Sequence, residues 1–235
     1  MRKIIFHVHS SYSCDSNANP QKIVDFAIKN HVSCLVITDH DSLEGSISAK
    51  EYATKKKLNI KIPISAEYLT NICEIIAVNL PENFKNIFNH KELCRAIKKE
   101  GGYTILPHPF RGHQLNKIDY RNIDYIEIFN SRSSFEENKN ALLLAKNQGK
   151  KKIYGSDAHF LKTINNVITV YNKNNPFDNQ IKSLYLKYTN KNKILFSQLI
   201  KARKTKNLKL FIISTMRIIK YYSIKIIHLI KNIQK

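Results

Sequence analysis

The chain has 235 residues, of which 43% are hydrophobic and 24% charged, and a formal net charge of +21. That length and composition hold one substantial globular domain plus a small extension, and argue against a largely disordered chain. The charge is uneven: residues 179–235 carry 14 Lys and Arg and no Asp or Glu, a field that favours phosphorylated molecules, nucleic acid or acidic lipid.

The first predicted element is the strand KIIFHVH. Its period of two sets Ile4, Phe6 and Val8 on one face and Ile5, His7 and His9 on the other. Two imidazoles aimed at one point, with Asp15 six residues on, suit a divalent metal. A helix opening at Pro20 runs to about Asn30, followed by the strand CLVITDH. A helix over Ser46–Lys56 precedes the strands IKIPISAE and CEIIAVNL. The helix His90–Glu100 stops at Gly101–Gly102, and YTILPHP and YIEIFN follow as strands. A helix Glu136–Gln148, closed by Gly149, leads into KKIYGSDAH. Strands alternating with helices, apolar on both faces, predict a parallel sheet or barrel.

Polar residues recur at the ends of these strands. His40 ends one, Glu67 another, His108 a third, and Asp157 and His159 a fourth, with the spacing of His7 and His9. In a βα barrel such ends converge on the face where sites form. The four cysteines (Cys14, Cys34, Cys73, Cys94) show no CxxC pair and lie in or beside apolar runs, the pattern of reduced thiols in a cytoplasmic protein. The amino terminus has too short an apolar run for a signal peptide.

HVHSSYSCD, TDHDSLEG, SAEY, PHPFR, IEIFNSR and GSDAH, in that order, resemble the polymerase-and-histidinol-phosphatase (PHP) family. The likeness covers about Lys3 to Tyr171 and is closest to short stand-alone members. It implies a distorted seven-stranded (β/α) TIM-like barrel over residues 1–172, with a basic, mainly helical extension over residues 173–235. It also implies two or three divalent ions (zinc, manganese or iron). One ion would take His7, His9 and Asp157, with Glu67 bridging to a second that also uses His108; a third would take Asp15, His40 and His159. The implied activity is hydrolysis of a phosphate ester of a small metabolite or nucleotide by metal-activated hydroxide attack on phosphorus. Asp157 and Glu67 would then act through the metals, and Arg111 and Arg132 would clamp the phosphate. Asp39 and Glu127 read as acceptors for the ligand histidines; His113 and His31 read as ordinary polar residues. Many members carry a further histidine on the strand after Glu67. Here that strand is CEIIAVNL, and Glu74 or Ile76 stands in its place depending on register, with Glu74 the candidate ligand. The alternatives are exonuclease-like removal of nucleotides from 5′ ends of short nucleic acids, and a poorly active metal- or nucleotide-binding module.

The segment YNKNNPFDNQ reads as a linker, and LFSQLIKARKTK as a short helix. Beyond Leu208 an amphipathic basic helix is predicted, with Leu208, Phe211, Ile212, Thr215, Ile219, Tyr222 and Ile226 in one stripe and lysines opposite. Its charges interrupt any membrane span. The stripe would pack on the barrel or another subunit, or 208–235 would attach to an anionic membrane surface.

Overall fold

The computed structural model describes residues 1–172, 175–178 and 182–233. Nine strands and six α-helices are formed by these residues: β1 (Arg2–Val8), α1 (Pro20–Lys29), β2 (Val32–Ile37), α2 (Glu44–Lys55), β3 (Ser65–Leu69), β4 (Glu74–Val78), α3 (His90–Lys99), β5 (Tyr103–Leu106), β6 (Tyr125–Asn130), α4 (Phe135–Asn147), β7 (Lys151–Gly155), β8 (Val167–Tyr171), β9 (Lys182–Leu186), α5 (Lys191–Lys204) and α6 (Leu208–Ile233). Side chains set the helix boundaries. Asn19 accepts from the Lys22 N–H before Pro20, Asn89 caps α3, and Ser134 with Glu137 forms a capping box on α4.

The strands form two sheets, ordered β2-β1-β8-β9 and β3-β4-β5-β6-β7. The fold is mixed α/β, and it departs from the expected parallel sheet or distorted seven-stranded barrel in two respects. First, β3–β4 and β4–β5 pair antiparallel, as do β1–β8 and β8–β9. The reason at β3–β4 is length: residues 70–73 can turn a hairpin but cannot carry a parallel crossover. Second, the ladders do not close into one barrel. Single parallel bridges, Val8–Ala158 at β1/β7 and Cys34–Lys61 and His40–Glu67 at β2/β3, join the sheets. IKIPISAE contributes a strand only from Ser65; Pro63, without an N–H, sits in the stretch that forms no ladder.

One apolar cluster lies enclosed by the strands: Ile4, Phe6, Cys34, Val36, Ile76, Val78, Ile105, Tyr125, Ile153, Tyr171 and Phe177. Phe177 follows β8, and its carbonyl accepts from the Tyr125 hydroxyl. Two further clusters lie between strands and helices. Of the segment read as a linker, residues 173, 174, 179 and 180 lie outside the described residues. The strands β8 and β9 that flank it were not expected.

The carboxy-terminal helices form, but α6 turns a different side inward than its periodicity suggested. Its shielded positions are Leu210, Ile213, Ser214, Thr215, Ile218 and Tyr221, on the side packed near α5, so of the expected stripe only Thr215 is among them. Leu208, Phe211, Ile212, Ile219, Tyr222 and Ile226 stay exposed. Apolar residues also stand outside its main stripe, so sequence period alone could not choose its buried face. Residues 234 and 235 of the expected helix lie outside the described residues. No helix among the described residues is long and apolar enough to cross a membrane.

Candidate metal centre

Backbone hydrogen bonds between the elongated strand ends bring the polar residues together. The His9 N–H donates to the Ala158 carbonyl (2.8 Å) and the Ala158 N–H to the His7 carbonyl (3.2 Å), setting His7 and His9 beside Asp157 and His159. On the other side Glu67 N–H donates to Asp39 (3.0 Å) and Asp41 N–H to Glu67 (2.9 Å), setting His40 beside Glu67. Asp15 enters on the β1–α1 loop. That loop is held from α5 by Lys204, whose Nζ donates to the carbonyls of Ser11 (2.8 Å), Ser13 (2.9 Å) and Ser16 (2.6 Å).

His7 and His9 do not follow the regular alternation of a strand. The β1–β2 ladder shifts between Ile5 and Val8, and His7 has φ of 65°, the mark of a bulge that re-aims a side chain. His108 (23°) and Asp157 (46°) also have positive φ. Non-glycine residues rarely hold this conformation, and each costs about 1–3 kcal/mol. Three such residues at one rim place the strain where the polar groups meet.

Ligand-type atoms crowd together. One atom each from His9, Asp15, His40 and His159 lies within 4.8 Å of the others, and the same holds for His7, His9 and Asp157, and for His40, Glu67 and Glu74. Glu67 is central: Oε2 lies 3.4 Å from His7 Nε2, 3.5 Å from His9 Nε2 and 3.3 Å from His40 Nδ1, while Oε1 lies 3.0 Å from His108 Nε2. Despite these approaches, both Glu67 oxygens, His7 Nε2, His9 Nε2 and His108 Nδ1 are buried without a hydrogen-bond partner. Buried polar atoms are almost always partnered. A set of them, all of metal-ligand type and converging, fits divalent ions bound through imidazole and carboxylate.

The far nitrogens are held. His7 Nδ1 donates to Glu127 Oε1 at 2.7 Å, which leaves Nε2 free for a metal. Glu127 also accepts from the His108 N–H (2.7 Å) and from Asn130 Nδ2 (2.9 Å), which reaches Asp157 at 3.1 Å as well. Gly155 makes room for it: a Cβ there would lie 1.5 Å from Glu127 Oε1. Glu127 therefore acts as anticipated, whereas Asp39 does not. Asp39 accepts from the Ser10 backbone (2.5 Å) and hydroxyl (2.6 Å) instead of from a histidine ring. A serine two residues beyond a strand end offers both donors closer than any imidazole.

The electrostatics match a cation site. Burial lowers His7, yet Glu127, Glu67 and Asp157 leave it well above its ordinary value. Burial likewise lowers His40, but Asp15 and Glu67 bring it to about 9. Burial raises Glu67, while His7, His108 and His40 hold it well below the usual carboxylate range. Asp157 is held low against burial by Arg132 and His7, and Asp15 by His159 and His40. Burial and Arg132 push His159 down to about 3.

A cavity of about 90 Å³ opens on this cluster, lined by Asp15, Glu67, Arg111, Arg132, Gln198 and Lys201 among others. Arg111 Nη1 donates to Asp157 (2.7 Å) and remains 32% exposed. Arg132 is buried, against the His159 ring and 3.7 Å from Asp157, with its other nitrogen on Ser197 of α5 (2.8 Å). All the expected site residues thus meet at one rim. Ile76 lies in the enclosed apolar cluster, while Glu74, two residues nearer the rim, lies 3.8 Å from His108. Three contributors were missed. His113 stands 3.4 Å from Glu74; its only sequence signal is a place five residues after His108, past a glycine. Gln198 and Lys201 line the cavity from α5, and nothing in a basic tail distinguishes them. His31, as expected, is not among these groups. A larger cavity of about 700 Å³ lies elsewhere, among Lys191, Leu195, Arg217, Lys220, Tyr221, Ile224 and Lys225.

With this geometry in view, comparison with known proteins is decisive on one point. The PHP domain is matched over residues 6–229. The chain belongs to the PHP domain family. Its PHP match runs on through α5 and most of α6. Among relatives, two uncharacterised proteins of Methanocaldococcus jannaschii are similar. One is 30% identical over 74% of this chain and 72% of its own, the other 28% identical over 55% and 82%. Among solved structures, a two-domain Bacteroides vulgatus protein containing a predicted PHP-like metal-dependent phosphoesterase matches with a TM-score of 0.58 and 20% identity. That match covers 72% of this chain and 57% of that one. PsfC from Pseudomonas syringae matches with a TM-score of 0.59 and 14% identity over 87% and 98% of the two chains. An amidohydrolase from Chromobacterium violaceum, with bound sulfate and no metal, matches at 0.53 and 16% over 66% and 87%. These likenesses establish the fold.

Proposed function

We propose that this PHP protein is a metal-dependent phosphoesterase that hydrolyses a phosphate ester of a small metabolite or nucleotide. The observation that carries the reading is the set of buried, unpartnered ligand atoms converging beneath two arginines at one rim. His7, His9 and Asp157 would hold one ion and Asp15, His40 and His159 another, with Glu67 between them and reaching His108 on its other oxygen. Zinc, manganese or iron suits this donor set. Such ions, when bound, supply a nucleophile from water at neutral pH and neutralise charge on phosphoryl oxygens.

The protein's own residues do the rest. Glu127 orients the His7 ring through Nδ1 and tethers the His108 main chain, so the His7 nitrogen and the position from which His108 projects are both set. Arg111 and Arg132 stand where phosphoryl oxygens would enter, and each guanidinium can donate in a planar fork. Gln198 and Lys201 of α5 line the cavity beside the two arginines and would face the part of the substrate beyond the phosphoryl group. A second reading, trimming of 5′ ends of short nucleic acids, is favoured by the basic groove with Lys191, Arg217, Lys220 and Lys225 next to α5.

The test is turnover of phosphomonoesters, nucleoside bisphosphates and short RNA with Mn²⁺ or Zn²⁺, with Asp157→Ala as control. Turnover lost in the variant supports the reading. Absence of turnover on every phosphate ester, with metal bound, leaves the poorly active binding module as the better account.

A further inference from the structure

His108 shares an ion with Glu67 in the assignments above and Glu74 is a candidate ligand beside it, but His113, which stands with both, has no role there. One atom from each of Glu74, His108 and His113 lies within 4.8 Å of the other two. Glu74 Oε2 is 3.4 Å from His113 Nε2 and 3.8 Å from His108 Nδ1. Ligand atoms bound about 2.0–2.1 Å from a tetrahedral ion stand about 3.4 Å apart, so these spacings suit one shared cation. Both imidazoles are at least nine-tenths buried, with side chains 5% and 3% exposed. His108 Nδ1, the nitrogen turned to Glu74, has no hydrogen-bond partner.

The loop after β5 is built to place His113 there. Arg111 N–H bonds to the His108 carbonyl (3.0 Å), and Gly112 then takes φ of 82°, where a side chain would be strained. The turn sends Arg111 toward Asp157 and His113 toward Glu74. Gln114 N–H fastens the loop to the Ile72 carbonyl in the β3–β4 turn (2.9 Å).

His113 Nε2 faces the Glu74 carboxylate at 3.4 Å, on the side of the ring turned to the rim.

We propose that His113, together with Glu74 and His108, ligates a divalent cation at this end of the rim. The loop after β5 thereby supplies an imidazole that β4 lacks, since its inward position holds Ile76. The inference rests on the rim being a metal centre and not on its activity.

The test is Co²⁺ titration of chelator-treated full-length protein, read by equilibrium dialysis and visible absorption. The expected result is loss of one equivalent, or at least tenfold weaker binding of it, in His113→Ala and in His113→Gln, which keeps the size. His113→Cys should retain that equivalent and add a sulfur-to-cobalt charge-transfer band, which a purely structural histidine would not produce. Asp157→Ala should weaken a different equivalent. Matching melting temperatures of the metal-free proteins separate ligation from folding. Unchanged stoichiometry and affinity in the His113 variants, with Asp157→Ala still losing an ion, overturn this proposal alone. No cobalt bound by the wild type overturns it together with the proposed function.

Discussion

Replacing Glu127 by glutamine tests how the rim is organised. The carboxylate receives three donors, His7 Nδ1 (2.7 Å), the His108 N–H (2.7 Å) and Asn130 Nδ2 (2.9 Å). Glutamine keeps the shape but turns one acceptor into a donor. With its amide nitrogen toward His7, the imidazole must accept on Nδ1 and carry its proton on Nε2, the atom that should bind metal. With the nitrogen toward His108, donors oppose one another and a buried backbone N–H loses its partner, at about 1–3 kcal/mol. Changes of this kind behind a ligand weaken metal binding about 10–100-fold, equal to about 1.4–2.7 kcal/mol. Competition of each protein against a chelator for Zn²⁺, with thermal unfolding of the metal-free forms, reads both branches. Wild-type affinity combined with a wild-type melting temperature would refute the reasoning.

Three further outcomes are expected. Gly155→Ala places a Cβ 1.5 Å from Glu127 Oε1, so it should lower stability by about 1–3 kcal/mol or more and weaken metal binding as the glutamine variant does; an unchanged melting curve would contradict this. The thiols of Cys34, Cys73 and Cys94 are raised to about 12 by burial, so at pH 8 they are protonated and should resist iodoacetamide until the protein unfolds. Mass spectrometry showing rapid native alkylation there would refute it. The exposed stripe of α6, with Phe211, Ile212, Ile219 and Ile226 beside Lys220 and Lys225, should carry the protein onto vesicles containing acidic lipid and release it at high salt. Equal flotation with and without residues 208–235 would exclude that role.

Much of the rim was legible because its residues follow strands of strong apolar pattern. His40, His108, Asp157 and His159 each come two or more residues past such a strand, so alternation and strand length alone set them at one end. Glu127 could be anticipated on similar grounds. Asp39 could not, since its choice of Ser10 depends on how the turn after β1 folds against β2.

What the sequence determined by itself is local: most of the strands and helices up to β7, where caps stop the helices, and which polar groups stand near strand ends. Tertiary structure decided the rest. The antiparallel pairing of β4 with β5 across the long connection that carries α3 was settled only in the folded sheet. The inward side of α6 followed from where α5 lies, because apolar residues such as Leu210, Ile213 and Ile218 also stand outside its main stripe. His113 reached Glu74 through a loop closed by Gly112 and docked on the β3–β4 turn, a contact 39 residues apart in the chain. Periodicity reports only neighbours within one element, whereas a metal centre is made from side chains whose separation in sequence carries no information about their separation in space.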